Sequence, residues 1–448
     1  MTLPEEVGGG PRILLLATCD TKLEEITYVH DRLTQLNPKS NLILMDVGRS
    51  EQKTPSQGLI KVNQTMLFAH DHPPRAKNLP QMSRDEYSTA MISAGTRYVR
   101  RLHAGGPLHG VLGVGGSTGS SIVAALMRGG VPIGVPKLLV STMASGDVGP
   151  LVGGADLTLM YSVTDIAGLN FLSERILGNA AAAISGMAGA RFDVEGRARN
   201  HHDGDRNNTK ESGEKHRKNR IAITMFGVTT PGVDAIRSIL TQSPHNAEVI
   251  VFHATGAGGK AMEALIREGS FDAIVDLTTT EVADEIGGGV LSAGPERLLA
   301  GAEAGVPMVV SVGACDMVNF GPKETMRAEH LDAAERGERK LYVHNPMVTL
   351  LRTTKDENRR IAEFMVEKLR RAQRKDLVKV IIPMGAVSMI SGKGGPFEDR
   401  EADEELFSGI EKGLRGSGIE VLRVDELEIN DEQFAQKVVD VLVELQNT

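Results

Sequence analysis

What most constrains this chain is an alternation that runs almost from end to end: a short apolar stretch of strand length, a polar or glycine-rich turn, then an amphipathic helical stretch. RILLLAT, SNLILMDVG, HGVLGVG and PKLLVST are the apolar stretches of the first part, and CDTKLEEITYVHDRL, SRDEYSTAMISAGTRYVRRLH and SSIVAALMRGG are helical ones. Leu23, Ile26, Val29 and Leu33 recur at helical spacing. The pattern restarts with RIAITMFG and continues through NAEVIVFHA, FDAIVDLT, VPMVVSVG, KLYVHN and VKVIIPMG, with GGKAMEALIREG and TKDENRRIAEFMVEKLRRA among the helices between. Strands that are apolar throughout, and not only at alternate positions, are buried on both faces, the condition of a parallel sheet covered by crossover helices. The expected fold class is α/β, with two Rossmann-like doubly wound parallel-sheet domains.

A length of 448 residues exceeds one ordinary hydrophobic core and sets two domains as the expectation. The boundary falls in RFDVEGRARNHHDGDRNNTKESGEKHRKNR, residues 191–220, whose sizeable apolar residues are Phe192 and Val194. Such a segment buries too little to offset its ordering entropy. The reading is a Rossmann-like first domain over 1–190, a disordered linker over 191–219 and a second Rossmann-like α/β domain over 220–448. The net charge is −8, aromatic residues make up 4% and Trp is absent. Nucleic-acid surfaces carry basic stripes and stacking rings, so a nucleic-acid partner is not expected. No apolar stretch approaches the roughly 20 residues that cross a bilayer, and MTLPEEVGGGPR lacks the cationic flank and apolar run of a signal peptide. No membrane partner and a cytoplasmic location are the expectations. Cys19 and Cys315 lie far apart and each ends a strand-like run, which supports neither a disulfide framework nor a cysteine metal site.

The most distinctive segment is GVLGVGGSTGSS, residues 110–121. Open parallel sheets bind ligands beyond the carboxyl ends of their strands, and GVGGSTGSS stands at such an end. Gly113, Gly115, Gly116 and Gly119 permit close backbone approach, and Ser117, Thr118, Ser120 and Ser121 add neutral donors. The successive N–H groups and the positive end of the following helix attract an anion. Phosphate is the natural guest; a plain strand-to-helix turn is the alternative. The glycines do not follow G-x-G-x-x-G, since Thr118 stands three residues beyond Gly115, and ATGAGGKA at 254–261 misses the P-loop pattern at Ala254 and Ala261. Two further turns end strands of the same domain: CDTKLEE with Asp20, Thr21 and Lys22, and STMASGD with Ser141, Thr142, Ser145 and Gly146. Lys22 suits phosphate charge and Asp20 a metal, while Thr21 with Glu24 equally fits a helix capping box.

In ATCDTKLEE, GVGGSTGSS, STMASGD, HATGAGGKAMEAL and IPMGAVSMISGKGGPFEDREAD, the chain resembles the ATP-binding domain family of the tomato mosaic virus resistance protein and its bacterial and fungal relatives, over nearly its whole length. The resemblance implies ATP with Mg²⁺ in the first domain, and a homodimer. It carries nucleotide binding onto Gly115, Gly116, Ser117, Thr118 and Gly119, with Ser120 as a further donor, and onto Asp20, Thr21, Lys22, Ser141, Thr142, Ser145 and Gly146. Many relatives of this kind continue into a TIM-barrel-like domain.

The second domain has polar strand ends of its own. HATGAGGKAME carries His253, Thr255, Gly258, Gly259 and Lys260, and reads as a second phosphate or carboxylate site placed as GGSTGS is in the first half, which makes the halves candidate divergent repeats. Asp276 ends another strand, SVGACDMVNFG brings Cys315 and Asp316, and LYVHNP brings His344. Convergence of His253, His344, Asp276 and Asp316 would suit a divalent metal, and Cys315 beside a histidine a nucleophile. His253, Thr255, Gly258, Gly259, Lys260, Asp276 and Asp316 form the expected second-ligand set, facing a cleft between domains and a small acid substrate. Three functions stay open: an ATP-dependent enzyme acting on a small carboxylic acid or sugar, a nucleotide-responsive module that binds a protein partner, and the partner subunit of a separate TIM-barrel enzyme.

Overall fold

The computed structural model describes residues 9–50, 59–69, 79–204 and 217–448, with the backbone alone for 198–204. The chain divides into two compact units, residues 1–214 and 215–448. In chain order the first holds β1 (Arg12–Ala17), α1 (Cys19–Leu36), β2 (Asn41–Asp46), β3 (Ile60–Val62), α2 (Gln64–Leu67), α3 (Arg84–Ala104), β4 (Gly110–Gly115), α4 (Ser117–Gly130), β5 (Lys137–Ser141), α5 (Gly149–Val152), β6 (Leu157–Tyr161) and α6 (Phe171–Gly204).

Its strands form one sheet in the order β3-β2-β1-β4-β5-β6, and every pairing is parallel. β1 and β4 are buried at every position, as their unbroken apolar runs require. On one face Ile13, Leu15, Leu112 and Val140 pack against Ile26 and Val29 of α1 and Ala180 and Ile184 of α6. On the other Leu14, Leu16, Val111 and Leu139 pack against Met91 and Tyr98 of α3 and Ile122 and Val123 of α4. α3 starts at a capping box: Ser83 Oγ accepts from Glu86 N, and Glu86 Oε2 from Ser83 N. Strand order reverses between β1 and β4, so the crevice of this unit lies beyond their carboxyl ends.

α6 runs on to Gly204, so the stretch expected to be a disordered linker from residue 191 is helical in its first part. A few anchors hold it despite the polar composition. Arg191 Nη1 donates to Gly134 O (2.8 Å), Arg191 pairs with Glu195 one turn on (2.8 Å), Glu195 reaches His109 (3.4 Å), and Phe192 meets the His109 ring edge-on at 5.0 Å. Residues 205–216 of that stretch lie outside the described residues.

The second unit holds β7 (Arg220–Met225), α7 (Thr230–Thr241), β8 (Glu248–His253), α8 (Ala257–Arg267), β9 (Ala273–Thr278), α9 (Thr280–Gly287), α10 (Leu299–Glu303), β10 (Met308–Gly313), β11 (Met317–Phe320), α11 (Ala328–Glu335), β12 (Leu341–Asn345), β13 (Val348–Arg352), α12 (Lys355–Leu369), β14 (Val378–Pro383), α13 (Arg400–Leu414), β15 (Glu420–Val424) and α14 (Glu432–Gln446). Its parallel sheet has the order β15-β14-β10-β9-β7-β8, and the switch point lies between β7 and β9. KLYVHN is not part of that sheet: β12 pairs antiparallel with β13 in a separate sheet of order β11-β13-β12.

Both units are doubly wound, but their strand orders differ, so they are not repeats of one topology. β4, which leads into GGSTGS, lies beside the first strand of its unit; β8, which leads into GAGGK, is an edge strand. The two glycine turns therefore do not occupy equivalent places.

Candidate functional site

Two helix starts flank the crevice of the first unit, α1 after β1 and α4 after β4. The turn into α4 requires glycine at 115, because a Cβ there would lie 2.5 Å from the Ser120 nitrogen. Gly113 below it leaves room for Val123, whose Cγ1 would lie 2.3 Å from an added Cβ. Gly116 is the N-cap of α4, extended at φ −76° and ψ −163°, and brings no side chain to the helix start. Nothing lies within 4 Å of a Cβ built on it. Among the described residues no side chain caps the leading N–H groups of α4. Ser117 is exposed and Thr118 half-buried, and neither hydroxyl is engaged among the described residues. A Cβ on Gly119 would lie 3.6 Å from the Thr18 side chain, which puts the first turn of α4 against the end of β1.

Ser120 and Ser141 are engaged with each other. Both are wholly buried, their hydroxyl oxygens are 2.6 Å apart, Ser120 Oγ donates to Gly115 O (3.0 Å) and Ser141 Oγ accepts from Met143 N (3.0 Å). They clip α4 to β5. Thr142 extends the ladder by donating its N–H to Gly115 O (3.4 Å). Ser145 and Gly146 are exposed on the turn that follows, where Asp147 Oδ1 accepts from Gly149 N (2.9 Å).

The start of α1 already holds an anion of the protein's own. Asp46, 1% exposed at the end of β2, accepts from Cys19 N (3.0 Å) and Gly48 N (2.7 Å) through Oδ1 and from Gln64 Nε2 (2.9 Å) through Oδ2. Burial pushes its carboxyl above the usual carboxylate range, against those hydrogen bonds. Asp20 Oδ2 accepts from Arg49 N (2.8 Å) and Ser50 N (3.2 Å), which ties the loop after β2 to α1. Its Oδ1 is unengaged among the described residues. Thr21 does not form a capping box with Glu24: its Oγ1 lies 3.1 Å from Thr18 Oγ1 and donates to Thr18 O (3.3 Å), and α1 departs from helical geometry at Lys22 (φ −133°, ψ 24°). Lys22 Nζ reaches Thr21 O at 3.4 Å.

Much of the expected second-ligand set lies together around the GAGGK turn, but its buried members are engaged by the protein itself. The turn at GAGGK is filled by Glu281, whose Oε1 accepts from Gly256 N (2.6 Å) and Gly259 N (3.0 Å); a Cβ on Gly259 would lie 2.1 Å from Oε2. Gly258 is packed as closely on the His253 carbonyl, 1.9 Å from an added Cβ. Glu281 Oε2 in turn accepts from Arg297 Nε (2.7 Å), and Arg297 grips Asp276 with both terminal nitrogens (2.5 and 2.6 Å). Glu263 adds a third carboxylate at 3.5 Å. Burial alone would weaken the hold of Arg297 on its proton; the charge of Asp276, then of Glu281 and Glu263, more than reverses this. Asp276, 0% exposed, is thus spent on a structural ion network. Asp316 is buried too, with Oδ2 accepting from Ser388 Oγ (2.7 Å), and burial raises its carboxyl. His253 and Lys260 are exposed, Thr255 Oγ1 donates to the His253 carbonyl (3.3 Å), and the His253 ring meets Phe226 edge-on at 5.7 Å. Cys315 donates to or accepts from Thr279 Oγ1 at 3.2 Å, and burial pushes its thiol up to about 12, which silences it as a nucleophile. Among the described residues no group of three or more His, Cys, Asp and Glu side chains is arranged to hold a metal ion.

Sequence reasoning missed Asp46 and Arg297, and did not give Glu281 its place in the GAGGK turn. Glu281 reads as an ordinary acid in the first turn of α9, and Arg297 sits in AGPERLLA with no motif around it.

Residues 11–193 match the N-terminal domain, and residues 218–446 the C-terminal domain, of a family described as Uncharacterised protein family (UPF0261). The chain is 39% identical over 434 residues to a UPF0261 protein of Clostridium tetani, covering 97% of this chain and 98% of that one. It is 38% identical over 436 residues to one of Rhizobium meliloti, covering 97% and 99%. It is also 35% identical over 445 residues to the ToMV resistance protein Tm-1 of Solanum lycopersicum, where it covers 97% of this chain but 56% of the tomato protein. No helix among the described residues is long and apolar enough to cross a membrane.

Proposed function

The chain belongs to the UPF0261 family, and from that premise we propose that its first unit binds ATP with Mg²⁺, the phosphates lying on the N–H groups at the start of α4. One observation carries the reading. Of the turns that lead into α1, α4 and α8, the protein fills two with its own carboxylates, Asp46 at α1 and Glu281 at α8, and leaves the one at Gly116 without a capping side chain. A helix start presents free donors and positive potential, so the uncapped one is where an outside anion gains most. The hydroxyls of Ser117 and Thr118 stand beside it, and the resemblance to an ATP-binding family supports ATP over other phosphates. Mg²⁺ would come with the phosphate chain; the spare oxygen of Asp20 and the two hydroxyls are the oxygen donors a hard cation takes. A second anion at GAGGK is not part of the proposal, because Glu281 occupies that turn.

Isothermal titration of the full chain with ATP, with and without Mg²⁺, tests the reading. Gly116→Val places a side chain in the space the phosphates need without touching the protein, so affinity should fall more than about tenfold, the loss of roughly one charged hydrogen bond or more, while the unfolding temperature holds. Equal affinity in wild type and variant would show that the phosphates lie elsewhere.

A further inference from the structure

Three exposed apolar side chains of the first unit stand at or just past the carboxyl ends of β5 and β6: Met143, 48% exposed, Tyr161, 43%, and Val163, 55%. The register sets their distance from α4. Gly115, Ser141 and Tyr161 are partners across β4, β5 and β6, and strands lie ~4.8 Å apart, so Tyr161 stands ~10 Å along the row from Gly115. Partners in a row share a face, and Ser141 points at Ser120 of α4, so Tyr161 lies on the face that α4 covers, one strand beyond its first turn. Ser162 N donates to Ser141 O (3.2 Å), which holds the end of β6 to β5 past the last strand residue.

The next residue is strained. Val163 has φ 63°, in a three-residue turn closed by Thr164 N to Ser162 O at 2.7 Å. A β-branched side chain in the left-handed region is an outlier that persists where the surrounding structure imposes it, and such outliers cluster at ligand sites. Burial does not explain this one, since most of the side chain is in solvent.

We infer that Tyr161, edged by Met143 and Val163, is the shelf on which the base of the nucleotide stacks while its phosphates reach Gly116. The inference rests on the phosphate reading above and names the second half of the same site. The occupant is a flat aromatic ring because the shelf offers an exposed phenol ring and a polarisable thioether, both of which pack on π-faces. Stacking of this kind tolerates any base, so ATP and GTP should bind with similar affinity.

The full chain lacks Trp, so Tyr161→Trp installs a single tryptophan reporter at the shelf. ATP should quench its emission and inorganic tripolyphosphate should not. Tyr161→Ala should weaken ATP about tenfold, the loss of one base stack, with tripolyphosphate affinity unchanged and Tyr161→Phe like wild type. Unchanged ATP affinity in Tyr161→Ala, with tripolyphosphate still bound and still lost in Gly116→Val, would overturn the shelf and leave the phosphate site standing. Failure of tripolyphosphate to bind wild type would remove the phosphate site and the shelf with it. Conversion of a dimer to a monomer by Tyr161→Ala, at unchanged ATP affinity, would assign the patch to a second copy of the chain and overturn the inference.

Discussion

Replacing Arg297 by Met removes one guanidinium from among three buried carboxylates, and the cost follows from what it leaves. Arg297 is 1% exposed, pairs with Asp276 at 2.5 and 2.6 Å and bonds Glu281 at 2.7 Å. Met fills much of the same volume, so the cavity is small and the loss lies in the stranded charges. Breaking a buried ion pair by removing one partner costs about 3–5 kcal/mol, against about 5–15 kcal/mol for the whole stability of a domain. In a unit of this size each kcal/mol lowers Tm by about 2–4 °C, so calorimetry should show the second unit melting about 6–20 °C earlier. Glu281 also holds the GAGGK turn, so hydrogen exchange at Gly256 and Gly259 should accelerate in the same variant. Adding Asp276→Asn and Glu281→Gln removes two of the three stranded charges, those bonded at 2.7 Å or less, and should restore at least half of the lost stability. A shift under about 2 °C in Arg297→Met, less than 1 kcal/mol, would refute the reading of Arg297 as the keystone of the network.

Gly115→Ala forces a Cβ into the Ser120 backbone and should cost about 1–3 kcal/mol, whereas Gly116→Ala meets nothing and should stay within about 0.5 kcal/mol in urea denaturation. Ser141→Ala breaks the clip to Ser120 and should cost about 1 kcal/mol of stability without changing ATP affinity in calorimetry. Lys260→Ala should change neither Tm nor ATP affinity, since Lys260 is exposed and belongs to the GAGGK turn, which Glu281 fills. Burial raises the carboxyls of Asp284, to about 7, and Asp403, to about 6, above the unfolded value of 3.8. Raised acids hold their protons more tightly in the fold, so their contribution is full below about pH 4 and is lost as pH rises through 6 and 7. Denaturation between pH 4 and 8 should show the second unit losing stability over that window, and Asp403→Asn should flatten its lower part; a flat difference between wild type and variant would contradict the assignment.

The sheets were legible because β1 and β4 are buried on both faces and must be apolar throughout. β15 was not, because its edge position lets Arg423 reach Glu404 and Glu411, which breaks the apolar run. Strand order was hidden for a different reason: local pattern marks strands but not neighbours, so the edge place of β8 and the central place of β4 look alike in sequence. The site was legible by half. Glycines mark turns that approach an anion closely, yet whether a turn is open depends on carboxylates far along the chain. Asp46 reaches Cys19 across 27 residues and Glu281 reaches Gly256 across 25. Only folding decides which of the turns into α1, α4 and α8 lacks a carboxylate of the protein's own.

The most direct measurement is a crystal structure of the full chain grown with Mg²⁺ and a non-hydrolysable ATP analogue. Phosphate oxygens within hydrogen-bond distance of the backbone nitrogens of Ser117, Thr118 and Gly119, with Glu281 still seated at Gly256 and Gly259, are the predicted result. Phosphates bound instead at the start of α1 or α8, with Asp46 or Glu281 displaced, would contradict it.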